Sequence, residues 1–334
     1  MKNGMIKLVL FLVMLVPFQT SAQTLVGDVN GDGSVGIGDV TSMIHYLLTK
    51  DGAMVLIQNA DVNGNGSVEI DDLTILINYL LTNQWPMTVQ TFTVNGVTFK
   101  MMPVEGGTFI MGSDLFPSFS YTHEVTLSDF YIGQTEVTQE LWIAVMGTNP
   151  SHFTSRNGYS DNLQRPVECV SWFHCQDFIE KLNKLTGKTF RLPTEAEREF
   201  ASMGGNKSHG YYFSGSQNAV DVAWFFPNLP SQVEGEEGFG TQPVGLKMPN
   251  ELGLYDMSGN VYEWCWDYAQ RYDVYAYPDE AQVNPTGPET GDSRVVRGGC
   301  YNSSETMLIW VKYRLMVYPS IEARDLGLRL VLVN

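Results

Sequence analysis

Basic residues and cysteines are scarce in this sequence. Its 334 residues include 20 Lys and Arg against 37 Asp and Glu, which gives a formal net charge of −17 at pH 7. Because nucleic acids and anionic membranes bind basic surfaces, this balance argues against both as partners. With 43% hydrophobic and 17% charged residues, the chain has the composition of a folded protein. Four cysteines are too few for a disulfide scaffold, and three pairings stay open among Cys169, Cys175, Cys265 and Cys300.

Long hydrophobic runs are also missing. The apolar run over residues 8–18 is too short to span a membrane as a helix. It follows two lysines and precedes the small residues of positions 20–22, which is the order of a secretory signal peptide. We therefore expect cleavage of residues 1–22 near Ala22 and a secreted or periplasmic mature protein without a membrane span. A buried N-terminal helix is the alternative interpretation.

A duplicated twelve-residue pattern follows this segment. The first copy begins at Asp28 and the second, 33 residues later, at Asp61. Oxygen-bearing residues stand at positions 1, 3, 5 and 12, a glycine stands at 6 for a sharp turn, and position 7 supplies a backbone carbonyl. The candidate Ca²⁺ ligands are Asp28, Asn30, Asp32, Ser34 and Asp39 in the first loop, and Asp61, Asn63, Asn65, Ser67 and Asp72 in the second. Two metal-free Asx turns are the alternative.

Apolar residues with helical spacing follow each loop, which predicts two amphipathic helices that pack on each other. These residues are Val40, Met43, Ile44, Leu47 and Leu48 in the first copy and Leu73, Leu76, Ile77, Leu80 and Leu81 in the second. Over residues 27–84 the repeat resembles a type I dockerin module. The resemblance implies two bound Ca²⁺ ions and a cohesin-type partner, often in polysaccharide-degrading systems. We place the module at residues 24–84 and a linker at residues 85–90.

Residues 91–334 combine Gly-rich turns, short strand patterns and two helices, which indicates an irregular α+β domain. The domain carries HEVTLSDF at 123–130, RLPTEAE at 191–197, LGLYDMSGNVYEW at 252–264 and GLRL at 327–330. In this order the motifs resemble the sulfatase-modifying-factor family, whose founding activity is formylglycine generation. The resemblance implies a loop-rich α+β fold related to C-type lectins, joined here to a small all-α double loop–helix calcium module.

The catalytic residues of that family do not carry over. The founding enzymes oxidise a peptide cysteine with two copper-binding cysteines that follow a Gly-Gly-Ser-Tyr/Trp stretch. Here the stretch is Gly298-Gly299-Cys300-Tyr301, and the two cysteine positions hold Ser303 and Leu308. Because Cu(I) prefers thiolate ligands, we expect neither copper nor the oxidase activity. Cys300 is the one candidate nucleophile that is left, and an oxidase with a rearranged site is the alternative.

One family metal site does transfer onto this sequence. Asp256, Gly259, Val261 and Glu263 match a structural calcium site built from two side-chain oxygens and two backbone carbonyls, which predicts a third Ca²⁺ ion. A strand-entry turn with solvated acids is the alternative. Nearby, Arg198 stands where the family usually has Trp. The acids of the helix start, Glu195, Glu197 and Glu199, are expected to be solvated.

Two classes of function follow from these observations. The first is a secreted, calcium-stabilised binding or structural protein that combines a docking module with an inactive modifying-factor domain. The second is an enzyme of the family that uses the rearranged Cys300 site. Glycan recognition is a further alternative, through aromatic residues such as Tyr211, Tyr212, Trp224 and Phe225. The ligand of the large domain is therefore predicted to be a peptide or a glycan.

Overall fold

The structure of the chain is a computed structural model that describes residues 25–53, 55–63, 66–83, 85, 87–115, 122–269 and 280–333. The predicted signal peptide and the predicted ligand Asn65 lie outside the described residues. The chain divides into two compact units, with the boundary after residue 86. Each unit is described by itself below.

The small unit contains helices α1 (Ile37–Thr49), α2 (Ile57–Ala60) and α3 (Ile70–Thr82). Helices α1 and α3 follow the two loops and contact each other, as the repeat predicts. Their shared core buries Val40 and Met43 from α1 and Leu73 and Leu76 from α3. Each helix ends at a residue with φ near 57°, which stops the helix in the left-handed region.

The predicted apolar stripe of each helix is only partly correct. Two members on each helix point away from the core, namely Ile44 and Leu48 on α1 and Ile77 and Leu81 on α3. Leu48 is 81% exposed and its repeat equivalent Leu81 is 78% exposed. The reason is that each helix is apolar on two sides, and the small core covers only one of them.

The described part of the large unit contains short strands and four α-helices. The strands are β1 (Gln90–Val94), β2 (Val97–Val104), β3 (Gly107–Met111), β4 (His123–Leu127), β5 (Phe130–Gly133), β6 (Phe190–Arg191), β7 (Ala223–Trp224), β8 (Ser258–Gly259), β9 (Tyr262–Ala269), β10 (Gln282–Val283), β11 (Ser293–Arg297), β12 (Arg314–Val317), β13 (Leu326–Gly327) and β14 (Val331–Leu332). The helices are α4 (Gln139–Met146), α5 (Trp172–Thr186), α6 (Glu195–Ser202) and α7 (Ala219–Val222).

The described strands form four sheets. A five-stranded sheet has the order β1-β2-β5-β14-β6, and a four-stranded sheet has the order β12-β11-β9-β13. Strands β10-β4-β3 and β7-β8 form the smaller two. The predicted Asn95-Gly96 hairpin joins β1 to β2, with positive φ at both turn residues. The C-terminal strands β13 and β14 enter the two largest sheets, so residues far apart in sequence meet in the core.

Helix α6 lies at the centre of the candidate site. Its predicted capping box is present, because the Thr194 hydroxyl accepts from the amide of Glu197 and the Glu197 carboxylate accepts from the amide of Thr194. All eight residues of the helix are buried, and it contacts strands β3, β4, β9 and β11. A helix so enclosed must place its charged side chains against partners.

Candidate functional site

The first calcium loop is closed by its own carboxylates. Asp28 accepts from the amides of Asp32 and Gly33, both at 3.0 Å. Asp39, at position 12, accepts from the amides of Asn30 at 2.9 Å and Gly36 at 2.7 Å. Both carboxylates are almost fully buried. The hydrogen bonds of these two buried carboxylates therefore fix the shape of the loop, whereas Asn30, Asp32 and Ser34 are exposed.

The second loop repeats this arrangement 33 residues later. Asp61 accepts from the amide of Gly66 at 2.8 Å, the same pairing that Asp28 makes with Gly33. Asp72 is fully buried and accepts from the amides of Val62 at 3.0 Å and Glu69 at 2.8 Å. The predicted ligands Asn63 and Ser67 lie within the described part of this loop. The structure therefore keeps the two loops equivalent.

The donor set of both loops suits a hard cation. The oxygens come from carboxylates, side-chain amides and the backbone carbonyls of position 7, the ligand types that Ca²⁺ prefers. Residues 24–84 hold eight acids and one base, Lys50, so their net charge is −7. In the described part of the chain, no three His, Cys, Asp or Glu side chains converge closely enough to form a metal centre alone. A calcium ion in these loops thus also depends on Asn and Ser oxygens and on backbone carbonyls.

The candidate thiol of the large unit is buried in a polar corner. Cys300 follows two glycines with φ of 98° and 73° and is 3% exposed. Its Sγ lies 3.6 Å from Oγ of Ser303 and 3.7 Å from Oδ2 of Asp325. Burial, and after it the charge of Asp325, raise the pKa of the Cys300 thiol well above its usual range. The sulfur is therefore a neutral thiol at physiological pH and a poor nucleophile.

The two catalytic cysteine positions of the family offer no thiolate. Ser303 is buried, and its Oγ accepts from the amide of Cys300 at 3.1 Å. Leu308 is partly buried and apolar. All four cysteines lie within the described residues and are free. With one neutral thiol and one hydroxyl, this corner does not fit a Cu(I) ion.

The two carboxylates of the predicted third calcium site lie in different environments. Asp256 adopts φ of 55°, and its Oδ2 accepts from the amide of Gly245 at 2.7 Å. Its Oδ1 is buried and has no hydrogen-bond partner among the described residues. Burial raises the pKa of Asp256 to about 6. The backbones of Gly259 and Val261 lead from this turn towards Glu263, and their amides donate to Gly298 and Glu136.

Glu263, the second predicted carboxylate ligand, is fully buried between two arginines. Arg198 Nε donates to Oε2 at 2.7 Å, and Arg198 Nη2 donates to Oε1 at 3.1 Å. Arg329 Nη2 donates to Oε1 at 2.9 Å, and its Nε contacts both oxygens. Burial acts to raise the pKa of Glu263, but the two guanidinium groups outweigh burial and hold the pKa below its usual range. The residues present therefore do not fit a calcium ion at this carboxylate.

The prediction of a solvated helix start is wrong. Glu195 is fully buried and receives hydrogen bonds from Arg297 and Arg314, at distances down to 2.5 Å. Glu199 pairs with Arg297, and Glu197 pairs with Arg191. A signal for this network was present in the sequence, because arginines within apolar strand patterns require buried carboxylate partners.

The aromatic residues offered for glycan recognition do not share one environment. Phe225 is buried, in a cluster with Ile309. Tyr212 is half exposed and stacks on Trp310 with a centroid distance of 4.6 Å. Trp224 is partly buried beneath the ammonium group of Lys247, which lies 3.9 Å from the ring centroid. Phe225 therefore cannot belong to an exposed aromatic surface.

The two units together define a class of protein, a calcium-loop docking module joined to a modifying-factor domain. The model of the sulfatase-modifying factor enzyme 1-like domain matches residues 88–333, and the chain belongs to this family. The model of the dockerin type I domain matches residues 26–81. Dockerin modules bind calcium, typically bind cohesins and occur in extracellular proteins. Among the described residues, no helix is both long and apolar enough to cross a membrane.

Individual relatives support the same family and fold. The chain is 34% identical over 268 residues to the chaperone protein LppX of Paenibacillus barcinonensis, which covers 60% of this chain and 90% of that protein. It is 33% identical over 176 residues to the formylglycine-generating enzyme of Thermomonospora curvata, with coverage of 49% and 54%. The chain thus spans about half the length of that enzyme. The solved structure of Treponema denticola variable protein 1 is 32% identical, with a TM-score of 0.63 and coverage of 74% and 99%. The predicted family and fold class are confirmed.

Proposed function

We propose that this chain is an exported docking protein whose modifying-factor domain binds or scaffolds a ligand and does not oxidise cysteine. The observation that carries the proposal is the hydroxyl of Ser303 at a position where the founding enzymes have a copper-binding thiolate. The proposed organisation is a signal peptide at residues 1–22, a calcium module at 24–84, a linker at 85–90 and the modifying-factor domain at 91–334. The two loops hold two Ca²⁺ ions, and the large unit takes a peptide or glycan ligand.

The environment of Ser303 supports the loss of the reaction. Its oxygen is already an acceptor for the amide of Cys300, and burial keeps the neighbouring Cys300 sulfur neutral. Copper-dependent oxidation of a peptide cysteine needs a soft site that binds both the metal and the substrate sulfur. A hydroxyl and a leucine side chain cannot supply that site.

A direct assay tests this part of the proposal. The purified chain is incubated with copper and a Cys-x-Pro-x-Arg peptide, and the peptide is weighed by mass spectrometry beside an active formylglycine-generating enzyme. We expect unchanged peptide mass, because no thiolate pair is present. A mass loss that corresponds to conversion of the thiol to an aldehyde would contradict the proposal. If Cys300→Ala then abolished that turnover, the chain would be an oxidase with a rearranged site at Cys300.

The exposed apolar faces of α1 and α3 support a protein partner for the small unit. Ile37, Ile44 and Leu48 lie at i, i+7 and i+11, which brings them to one side of α1 at about 100° per residue. Their equivalents on α3 are Ile70, Ile77 and Leu81. All six side chains are exposed. Rows of apolar side chains exposed on a helix face are typical of a protein-binding surface. Burial against a cohesin-type surface accounts for them.

Binding to a purified cohesin domain tests the docking role. We expect the full chain to bind in calcium, and we expect Leu48→Asp combined with Leu81→Asp to abolish binding, because both faces then carry a charge. The matched control is Leu246→Asp, which changes a leucine of the large unit that is also well exposed. Equal loss of binding in the control, or retained binding in the double variant, would argue against the helices as the docking surface.

A further inference from the structure

The buried carboxylate of Glu263 is saturated by cationic donors. Five hydrogen bonds reach its two oxygens, at 2.7–3.1 Å, and all come from Arg198 and Arg329. Both guanidinium groups are at least 99% buried. A calcium ion at this carboxylate would have to displace at least one guanidinium group and leave it buried without its partner. Such an unpaired buried charge is strongly unfavourable.

Arg198 also engages the backbone of the predicted metal turn. Its Nη2 donates to the carbonyl oxygen of Met257 at 3.0 Å, next to Asp256 in the chain. The same nitrogen therefore joins a carboxylate oxygen and a main-chain carbonyl, which are the two kinds of ligand that the predicted calcium ion would collect. Gly298 makes room for it, because a Cβ built on Gly298 would lie 2.9 Å from Nη2.

Arg329 fits the family pattern and Arg198 departs from it. Arg329 belongs to the closing GLRL motif, and its Nη1 and Nη2 are also anchored on the carbonyls of Gly133 and Tyr255. Arg198 is the departure, since the family usually has Trp at this place in the helix. The cluster holds three buried carboxylates, those of Glu136, Asp256 and Glu263. Without Arg198, Glu263 would keep only Arg329 as a guanidinium partner, and a calcium ion could supply the missing positive charge.

We propose that the guanidinium group of Arg198 replaces the calcium ion at this site, so that the large unit folds without metal. One acceptor is left over, the buried Oδ1 of Asp256. A single carboxylate oxygen supplies one of the roughly six to eight ligands that Ca²⁺ takes. The internal cation has a fixed place on helix α6, whereas a calcium ion can dissociate. This inference is independent of the proposed docking and binding functions.

Calcium stoichiometry of the full chain is the first test. After dialysis against calcium, the wild-type chain is expected to hold two ions, both in the small unit. A chain with Asp28→Ala, Asp39→Ala, Asp61→Ala and Asp72→Ala removes the loop carboxylates and is expected to hold none. Near-ultraviolet circular dichroism checks that the large unit of this variant is folded. One tightly bound ion in the loop-deficient chain would overturn the proposal.

Variants at Arg198 form the second test. Arg198→Met removes the charge, and we expect the thermal midpoint of the large unit to fall and then to rise when calcium is added. The wild-type midpoint of the same unit should not move with calcium or chelator. A wild-type midpoint that falls in chelator would overturn the proposal, and so would a folded Arg198→Met chain without any calcium response. If Arg198→Met does not fold, Arg198→Gln carries the same test, because it keeps two donors and loses the charge.

Discussion

The two units of this protein bury carboxylates in opposite ways. In the small unit, Asp39 and Asp72 are held by backbone amides, and the module contains a single Lys. In the large unit, Glu195 and Glu263 are held by arginine side chains that lie far away in sequence. Amide hydrogen bonds orient a carboxylate but leave its charge in place, whereas a guanidinium group also neutralises it. The small unit is thus suited to a cation from solution, and the large unit contains its cations in the chain.

The largest expected effect that could break this comparison is chelation. We expect EDTA at neutral pH to unfold the small unit, since the eight acids of residues 24–84, opposed by a single Lys, would then repel one another without calcium. At roughly a hundredfold excess over Kd, each ion stabilises by about 2.7 kcal/mol. Far-ultraviolet circular dichroism should show the loss of α1 and α3, while the thermal transition of the large unit is retained. Unchanged helicity in EDTA would remove the difference between the units.

Breaking an arginine pair in the large unit should have the next largest effect. Glu195→Gln leaves Arg297 and Arg314 without their shared carboxylate, and the loss of one partner from a buried pair costs about 3–5 kcal/mol. Urea denaturation of the full chain measures this change in the free energy of unfolding. The matched control is Glu180→Gln, which breaks an exposed pair with Lys184 and should not change the midpoint. Equal midpoints for both variants would mean that the buried network is not stabilising.

Thiol titration gives a smaller test, on the buried cysteines of the large unit, whose thiols are not paired with an arginine in the described part of the chain. Burial is the main cause that raises the pKa of Cys169 to about 12, and it also raises those of Cys175, Cys265 and Cys300. The unfolded chain loses these protons near pH ~8.5 and the folded chain only at higher pH, so stability should fall as pH rises above that value. Native protein should resist iodoacetamide at pH 8, whereas urea-unfolded protein should react fully. Rapid labelling of Cys300 in native protein would contradict the burial that we describe.

The smallest expected effect concerns the start of helix α6, where Thr194 and Glu197 form the capping box. Thr194→Ala removes the hydroxyl that accepts from the amide of Glu197 and should lower the free energy of unfolding by about 1 kcal/mol. Thr194→Ser keeps a hydroxyl and is the control, and urea midpoints compare the two. A midpoint for the alanine variant that equals the serine variant would show that the carboxylate of Glu197 alone secures the helix start.

What the sequence predicts well in this molecule is local. The loops that begin at Asp28 and Asp61 and the helices after them depend on spacings within a few turns of chain, and the duplication reinforces each spacing. The prediction that Leu48 packs between the helices is wrong, because periodicity shows which residues share a face but not which face is covered.

The errors in the large unit are non-local. Glu263 meets Arg198 across 65 positions and Arg329 across 66, and Glu195 meets Arg314 across 119. No spacing in a single sequence shows that such residues are in contact, so the sequence alone predicts solvated acids at the start of helix α6. The family resemblance predicts the fold that brings these residues together and marks Arg198 as a departure, but it does not show which carboxylate Arg198 meets.

The enclosure of helix α6 has a consequence for the order in which the large unit folds. The helix is synthesised well before the segments that carry Arg297, Arg314 and Arg329. Yet the pairs of Glu195 with Arg297 and Arg314, and of Glu263 with Arg329, form only when those segments arrive. Contacts of such high sequence separation form slowly, because long loops must close first. The N-terminal half of the unit therefore cannot complete its core during synthesis, and a chain truncated before residue 329 should remain unfolded and prone to aggregate.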